Sequence, residues 1–273
     1  MSLGVLNNIS AIYAQNNLNN TQASLSKTLQ QLSSGSRINS GADDAAGLSL
    51  ANDLQASSTA LSQSSSNASE GVDMLQVADG ALSQVTTLLN RAVTLATEAS
   101  NGTLNSAQVT AANSEYTNIL TEIGNINTNT EYNGIAVFGA TAKSVYTSDG
   151  TTSQTNDATI GSTVSATTDL GLTAAGFTTA ATAQSELALI TTAIGTVATD
   201  RGTAGADINT LQAVSNVMST ESTNTLSAEN DVTATDYGQA TSDMSKYQIL
   251  SQTGIAALSQ ANQSQQLITK LLQ

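Results

Sequence analysis

Leu54, Leu61, Ala68, Leu75, Leu82, Leu89 and Ala96 recur at every seventh position, with Val72, Ala78, Val85 and Ala92 beside them. A small or leucine-like residue at that interval places one apolar seam along a single long helix, which must pack lengthwise on others. None of the 273 residues is proline, where ordinary usage would give roughly a dozen. Proline removes a donor and clashes with the preceding turn, so its absence lets helices run on. Aromatic residues make up 3% of the chain, which leaves Leu, Ile, Val and Ala to fill the core. The expected class is mainly α, with long antiparallel coiled-coil-like helices.

The spacing predicts a helix over about 4–33, one-faced, with Leu18, Leu25 and Leu32 at heptad interval, Leu29 offset, and Leu6 and Tyr13 extending the stripe. With so few charges and so narrow a stripe, it needs a partner. A polar break with Gly35, Arg37, Asn39 and Gly41 follows. Asp43 and Asp44 are suited to start the long helix, since carboxylates there cap free N–H groups. That helix is expected over 43–98, ended by Asn101-Gly102, and another over 105–128. From Tyr132 to about Thr179 short runs such as GIAVF and KSVYTS predict a small β-hairpin region, and low complexity over 147–168 suggests a surface loop. Helix resumes near Ala181 with Leu187, Ile190, Ile194, Val197, Ala204, Ile208, Leu211 and Met218. Arg201 interrupts this seam and calls for a carboxylate partner. Residues 221–236 are polar and acidic and read as a joint. In the last helix, about 238–272, Tyr247, Leu250, Gly254, Ala257, Ala261, Ile268 and Leu272 are expected to share a face toward the N-terminal helix.

Charge divides the chain the same way. Residues 1–42 and 244–273 hold Lys27, Arg37, Lys246, Lys270 and no acid, a total of +4; residues 43–243 hold all 21 acids against Arg91, Lys143 and Arg201, a total of −18. Weakly charged ends suit burial, while an acidic middle stays solvated and repels nucleic acid and anionic membranes. Neither cysteine nor histidine occurs, which excludes disulfides, thiol nucleophiles, a histidine general base and Cys/His zinc sites. Asp43-Asp44 is better read as a helix cap than a catalytic pair, and neither an enzyme nor a cofactor is expected. No segment approaches the roughly 20 apolar residues of a membrane span, and the first twenty residues lack the basic and apolar regions of a cleaved signal peptide.

The segment LSSGSRINSGADDAAGLSLA (32–51) closely resembles the N-terminal signature of bacterial flagellin, SSG-x-RINSA-x-DDAAG. The segment ATDYGQATSDMSKYQILSQTGIAALSQANQ (234–263) is similar to the matching C-terminal signature, and EYNGIAVF (131–138) looks like the turn into that family's hairpin. The resemblance implies an inner domain of paired terminal helices (1–42 plus 231–273) and a rod domain (43–230) with its β-hairpin region at about 132–180. Fewer than fifty residues separate the hairpin from the returning helix, too few for a large outer domain. It implies a structural subunit that self-polymerises into the extracellular filament used for motility, exported unfolded through a type III apparatus. Implied partners are further copies of the chain, an export chaperone at the C-terminal helix, and filament cap and hook-junction proteins. The polymerisation interface expected on the terminal helices comprises Leu6, Tyr13, Leu18, Leu25, Leu29, Leu32, Tyr247, Leu250, Gly254, Ala257, Ala261, Ile268 and Leu272.

In some flagellins a rod segment of the form L-Q-R-x-R-E-L-A-V-Q meets an innate immune receptor. LNRAVTLATE (89–98) matches at Arg91 and Leu95 and departs at Val93 and Thr94, and Glu115 matches a further contact position. The structural alternative is that Arg91 pairs with a nearby acid. A hook–filament junction protein, or a secreted helical adhesin or coiled-coil tether, remains open at this point as another reading of the whole chain.

Overall fold

The computed structural model describes residues 8–139, 143–149, 155–158, 169–172 and 176–271; for 155–158 and 268–271 it describes the backbone alone. Helices α1 (Ile9–Ser34), α2 (Ala45–Ala99) and α3 (Ser106–Asn129) are followed by strands β1 (Glu131–Tyr132), β2 (Ile135–Ala136), β3 (Lys143–Tyr146) and β4 (Thr155–Ala158). Helices α4 (Ala180–Thr233) and α5 (Tyr237–Leu271) complete the chain. It divides into two compact units, one of residues 1–55 with 225–273 and the other of 56–224, so both boundaries fall inside helices.

In the second unit the heptad forms a dry seam. Leu61, Ala68, Leu75, Leu82, Leu89 and Ala96 are buried, as are Val72, Ala78, Val85, Ala92 and Ala99 one ridge over. Ala183, Ile190, Val197, Ala204 and Leu211 repeat at the same interval on α4, and α3 adds Val109, Tyr116, Ile119, Leu120 and Ile123. Beyond Ala68 hydroxyl pairs flank Leu61 on the seam: Ser65 Oγ lies 2.9 Å from Ser215 Oγ and Ser58 Oγ 3.2 Å from Ser222 Oγ. Seven residues along α2 match seven back along α4, the mark of an antiparallel pair in constant register. Arg201 fits the same register and finds its carboxylate in Asp79, 2.7 Å away.

The helix ends follow local chemistry. Asn105 caps α3 in a capping box with Gln108, so both orphan donors are satisfied. Thr179 and Thr182 exchange side-chain and backbone hydrogen bonds at the start of α4. Asn133-Gly134, at φ 51° and 73°, joins β1 to β2 as left-handed turn residues do in two-residue hairpins. β3 and β4 pair antiparallel, Lys143 opposite Ala158 and Tyr146 opposite Thr155. This second hairpin lies on α2 because Gly71 leaves room: a Cβ there would stand 2.8 Å from Val145 Cγ2 and 2.9 Å from Leu211 Cδ1. Ser64 then donates to the Ser148 carbonyl at 2.7 Å and accepts from its amide at 3.0 Å. Most of the low-complexity run 147–168 lies outside the described residues.

Beside the start of α4 the chain turns inward. Phe177 is buried with its ring 5.2 Å from that of Tyr116. The Phe177 amide donates to Asn113 Oδ1 at 2.7 Å. The Tyr116 hydroxyl donates to the buried carboxylate of Glu186. Burial first, and then this bond to an acid, raise the Tyr116 pKa well above the usual phenol range.

In the first unit α1 packs against α5, as the weakly charged ends suggested. The expected joint at 221–236 is mostly helix: α4 runs unbroken to Thr233, and the chain leaves helix only around Ala234 to Asp236. Nothing in 221–233 breaks a helix, since polar residues without proline or glycine are tolerated on a solvated face. The expected joint is thus helical except for this short turn, and the boundary between the two units, after Asn224, falls within that joint.

Candidate functional site

The polar break after α1 is built as a clasp. Gly35 ends α1 in the left-handed conformation at φ 72°, and a Cβ there would meet the Tyr237 hydroxyl at 2.9 Å. The next residues lace onto the α4–α5 turn. Arg37 N donates to Thr233 O at 2.6 Å, Thr235 N to Gly35 O at 3.0 Å, and the Arg37 guanidinium to Val232 O at 2.8 Å. Gln31 Nε2 closes the loop on Arg37 O at 2.9 Å. Ile38 is the buried anchor, and Gly47 on α2 sits too close to it for a side chain.

The two aspartates divide their work. Asp44 caps α2, accepting from Gly47 N at 2.9 Å. Asp43 instead gathers the amides of Asn39 and Ser40, the Ser40 hydroxyl and the Lys27 ammonium, the last at 2.7 Å. The Lys27 hydrogen bond, aided by Ser40, holds the Asp43 carboxyl down at about 2. The pair expected to cap one helix thus supplies one cap and one tie back to α1.

Above the clasp, α1 turns Ala11, Ala14, Leu18, Thr21, Leu25, Thr28 and Leu32 inward, while α5 offers Ala240, Met244, Tyr247, Ser251, Gly254, Leu258 and Ala261. Both rows alternate intervals of three and four. The alternation of small and large residues seats Leu18 on Gly254, with Leu18 Cδ1 only 3.3 Å from where a Cβ would stand. Asn8 Nδ2 donates to Ala261 O at 3.0 Å at the open end.

The terminal stripe therefore differs from the expected one in specific ways. Leu18, Leu25, Leu32, Tyr247, Gly254 and Ala261 lie on the seam inside one chain. Tyr13 and Leu29 on α1, and Leu250 and Ala257 on α5, lie off it and are exposed. Apolar identity drew them into one face, but the seam positions on the intervening turns of α1 are alanine and threonine. Leu6 and Leu272 lie outside the described residues, as does the side chain of Ile268. Among the described residues Ile9, Ile12, Tyr13 and Leu29 on α1, and Tyr237, Ile249, Leu250, Ile255 and Leu267 on α5, are large apolar side chains left exposed. Ile9, Ile12, Tyr237, Ile249, Ile255 and Leu267 were not in the expected set. Their signal was present in the sequence as apolar residues between seam positions. Nine of the sixteen large apolar side chains exposed among the described residues lie on these two helices, which makes them the first candidate surface.

The second candidate surface lies in the other unit. Arg91 and Glu115 are exposed and joined in a bidentate pair at 2.7 and 3.0 Å between α2 and α3, which raises the Arg91 pKa and lowers that of Glu115. Leu95 is 3% exposed and belongs to the core, so it has no surface for a partner to touch. No helix among the described residues is long and apolar enough to cross a membrane.

Residues 5–143 match the bacterial flagellin N-terminal helical region and residues 187–272 the bacterial flagellin C-terminal helical region. A flagellin of Listeria monocytogenes is 32% identical, covering 97% of this chain and 98% of its own length. Flagellin 1 of Proteus mirabilis is 39% identical over 48% of this chain and 36% of its own. A crystal structure of Bacillus cereus flagellin is similar with 28% identity and a TM-score of 0.48, over 56% of this chain and 88% of that one. Matched at both ends and over nearly its whole length, the chain belongs to the bacterial flagellin family.

Proposed function

We propose that this chain is the self-polymerising subunit of a bacterial flagellar filament and that the outward faces of α1 and α5 join one subunit to the next. The observation that carries the reading is the division of apolar residues on these helices. One set holds α1 to α5 within the chain; Ile9, Ile12, Tyr13, Leu29, Ile249, Leu250, Ile255 and Leu267 remain for a neighbour. Covering them contributes about 25 cal/mol for each Å² removed from water. The contact is heterologous and does not close, so it propagates as a helix of subunits. The acidic rod keeps its charge in solvent and limits association to the defined contacts.

In this reading residues 1–42 and 231–273 form the inner domain and 43–230 the rod, the subunit is exported through the flagellar type III route, and it acts outside the cell in motility. An export chaperone that covers α5 before assembly would meet the same exposed residues, and cap and hook-junction proteins would meet the ends of the polymer. The Arg91–Glu115 pair ties α2 to α3; a receptor meeting this segment would touch those two side chains rather than Leu95. The test is to dissociate filaments by heat, cool, add sheared seeds and image the product by electron microscopy. Long filaments grown from seeds support the reading; persistent monomers beside a control flagellin that elongates would overturn it.

A further inference from the structure

The rod's three cations are not equivalent. Arg91 is paired with Glu115 and Arg201 with Asp79, whereas Lys143 makes no ion pair among the described residues. Lys143 lines a groove of about 520 Å³ between α2 and the two hairpins. Met74, Gly71 and Val145 form its floor, and Ile135 and Tyr146, both about half exposed, stand on its rim. Glu70 on the α2 wall is the groove's own acid and forms no bridge to Lys143.

A complementary feature lies elsewhere on the same unit. Val217 is 56% exposed on α4, on the side turned away from α2, since Ser215 and Ser222 face α2. Glu221, one turn on, is exposed and has no cationic partner among the described residues. Asn224, a further turn along and exposed, adds amide donors. This row of α4 thus offers an apolar side chain for the groove's apolar rim, a carboxylate for its ammonium and an amide for Glu70. In a rod where acids outnumber bases so heavily, a contact between copies needs a countercharge, and Lys143 is the cation not already committed.

We infer that the groove around Lys143 receives the Val217–Glu221 ridge of a second copy of this chain, Glu221 pairing with Lys143 and Val217 covering Ile135 and Tyr146. Groove and ridge do not overlap, so the contact is head-to-tail and can repeat. It rests on the filament reading above and adds a rod-to-rod contact to that of the terminal helices.

Seeded elongation of the full chain tests it with K143E, E221K and the double exchange K143E/E221K. An exposed ion pair changes association by up to about fivefold, and reversal of one charge adds repulsion. Each single variant should therefore raise the critical concentration about fivefold or more, and the double should return most of the way to wild type. Far-ultraviolet circular dichroism should be unchanged, since both side chains are solvated. Singles that elongate like wild type, or a double no better than the worse single, would overturn the contact while leaving the filament reading intact. A wild type that stays monomeric on its own seeds would overturn both.

Discussion

Arg201 on α4 and Asp79 on α2 meet at 2.7 Å, and this pair distinguishes one register of the two helices from the next. The apolar seam alone is degenerate, because Ala183, Ile190, Val197, Ala204 and Leu211 repeat at the same interval as the α2 series. A slip by one heptad would keep a serine pair, with Ser65 opposite Ser222, but would set Arg201 against Thr86. A slip the other way would set Arg201 against Val72. Polar pairs placed on an apolar seam specify register in this manner.

That register predicts a cross-link. The chain has no cysteine, so Ser65→Cys with Ser215→Cys introduces the only two thiols, at positions whose hydroxyls are already 2.9 Å apart. Mild oxidation should close an intrachain disulfide in nearly all molecules, read as a shift on a non-reducing gel. Efficient bridging of Ser65→Cys with Ser222→Cys instead would place the helices one heptad out.

Tyr116→Phe should destabilise the second unit by about 1–3 kcal/mol, the cost of taking a hydrogen-bond donor from a buried acid. Glu186→Gln should cost less, because an amide oxygen still accepts from the phenol. Urea midpoints measure both. Equal midpoints for Tyr116→Phe and wild type would contradict the buried pair.

Asp43 gives a pH dependence of definite sign. Its folded pKa is lowered from 3.8 to about 2, so its contribution is present above the unfolded value and is lost as pH falls through that window. Amides of Asn39 and Ser40 should lose hydrogen-exchange protection between about pH 4 and pH 2, beyond the intrinsic change of rate. Asp43→Asn should show that weaker protection already at neutral pH; protection equal to wild type would contradict the tie.

Gly254→Leu should loosen the α1–α5 pair, because Leu18 Cδ1 already lies 3.3 Å from the position of a Cβ. Overpacking of this kind costs about 1–3 kcal/mol. Thermal melts of the full chain should show the helical signal of the first unit lost at lower temperature, and an unchanged melt would contradict the seam.

Long periodic elements were legible in the sequence because one physical requirement, a seven-residue apolar repeat without proline, acts over dozens of positions. Arg201's carboxylate partner and the α1–α5 pairing followed from equally general rules, and the hairpin turn near residues 131–138 from the family resemblance. Choices between neighbouring turns did not. Leu250 and Leu258 are the same residue type on one helix, yet only Leu258 faces α1, because the seam is set by the small residues Ser251, Gly254 and Ala261. Asp43 and Asp44 are adjacent and identical, and only the loop geometry around Asn39 and Ser40 separates tie from cap. Leu95 matched a receptor-contact pattern, but the α2 heptad carries it into the core.

The account turns on the claim that the outward face of α1 and α5, not their shared seam, joins subunits. Leu250→Asp beside Leu25→Asp tests this most directly, comparing monomer helicity by circular dichroism with growth from wild-type seeds by electron microscopy. Leu250→Asp should keep the monomer's full helical signal and fail to elongate, whereas Leu25→Asp should lose elongation together with the α1–α5 share of that signal. Normal filaments from Leu250→Asp would contradict the account.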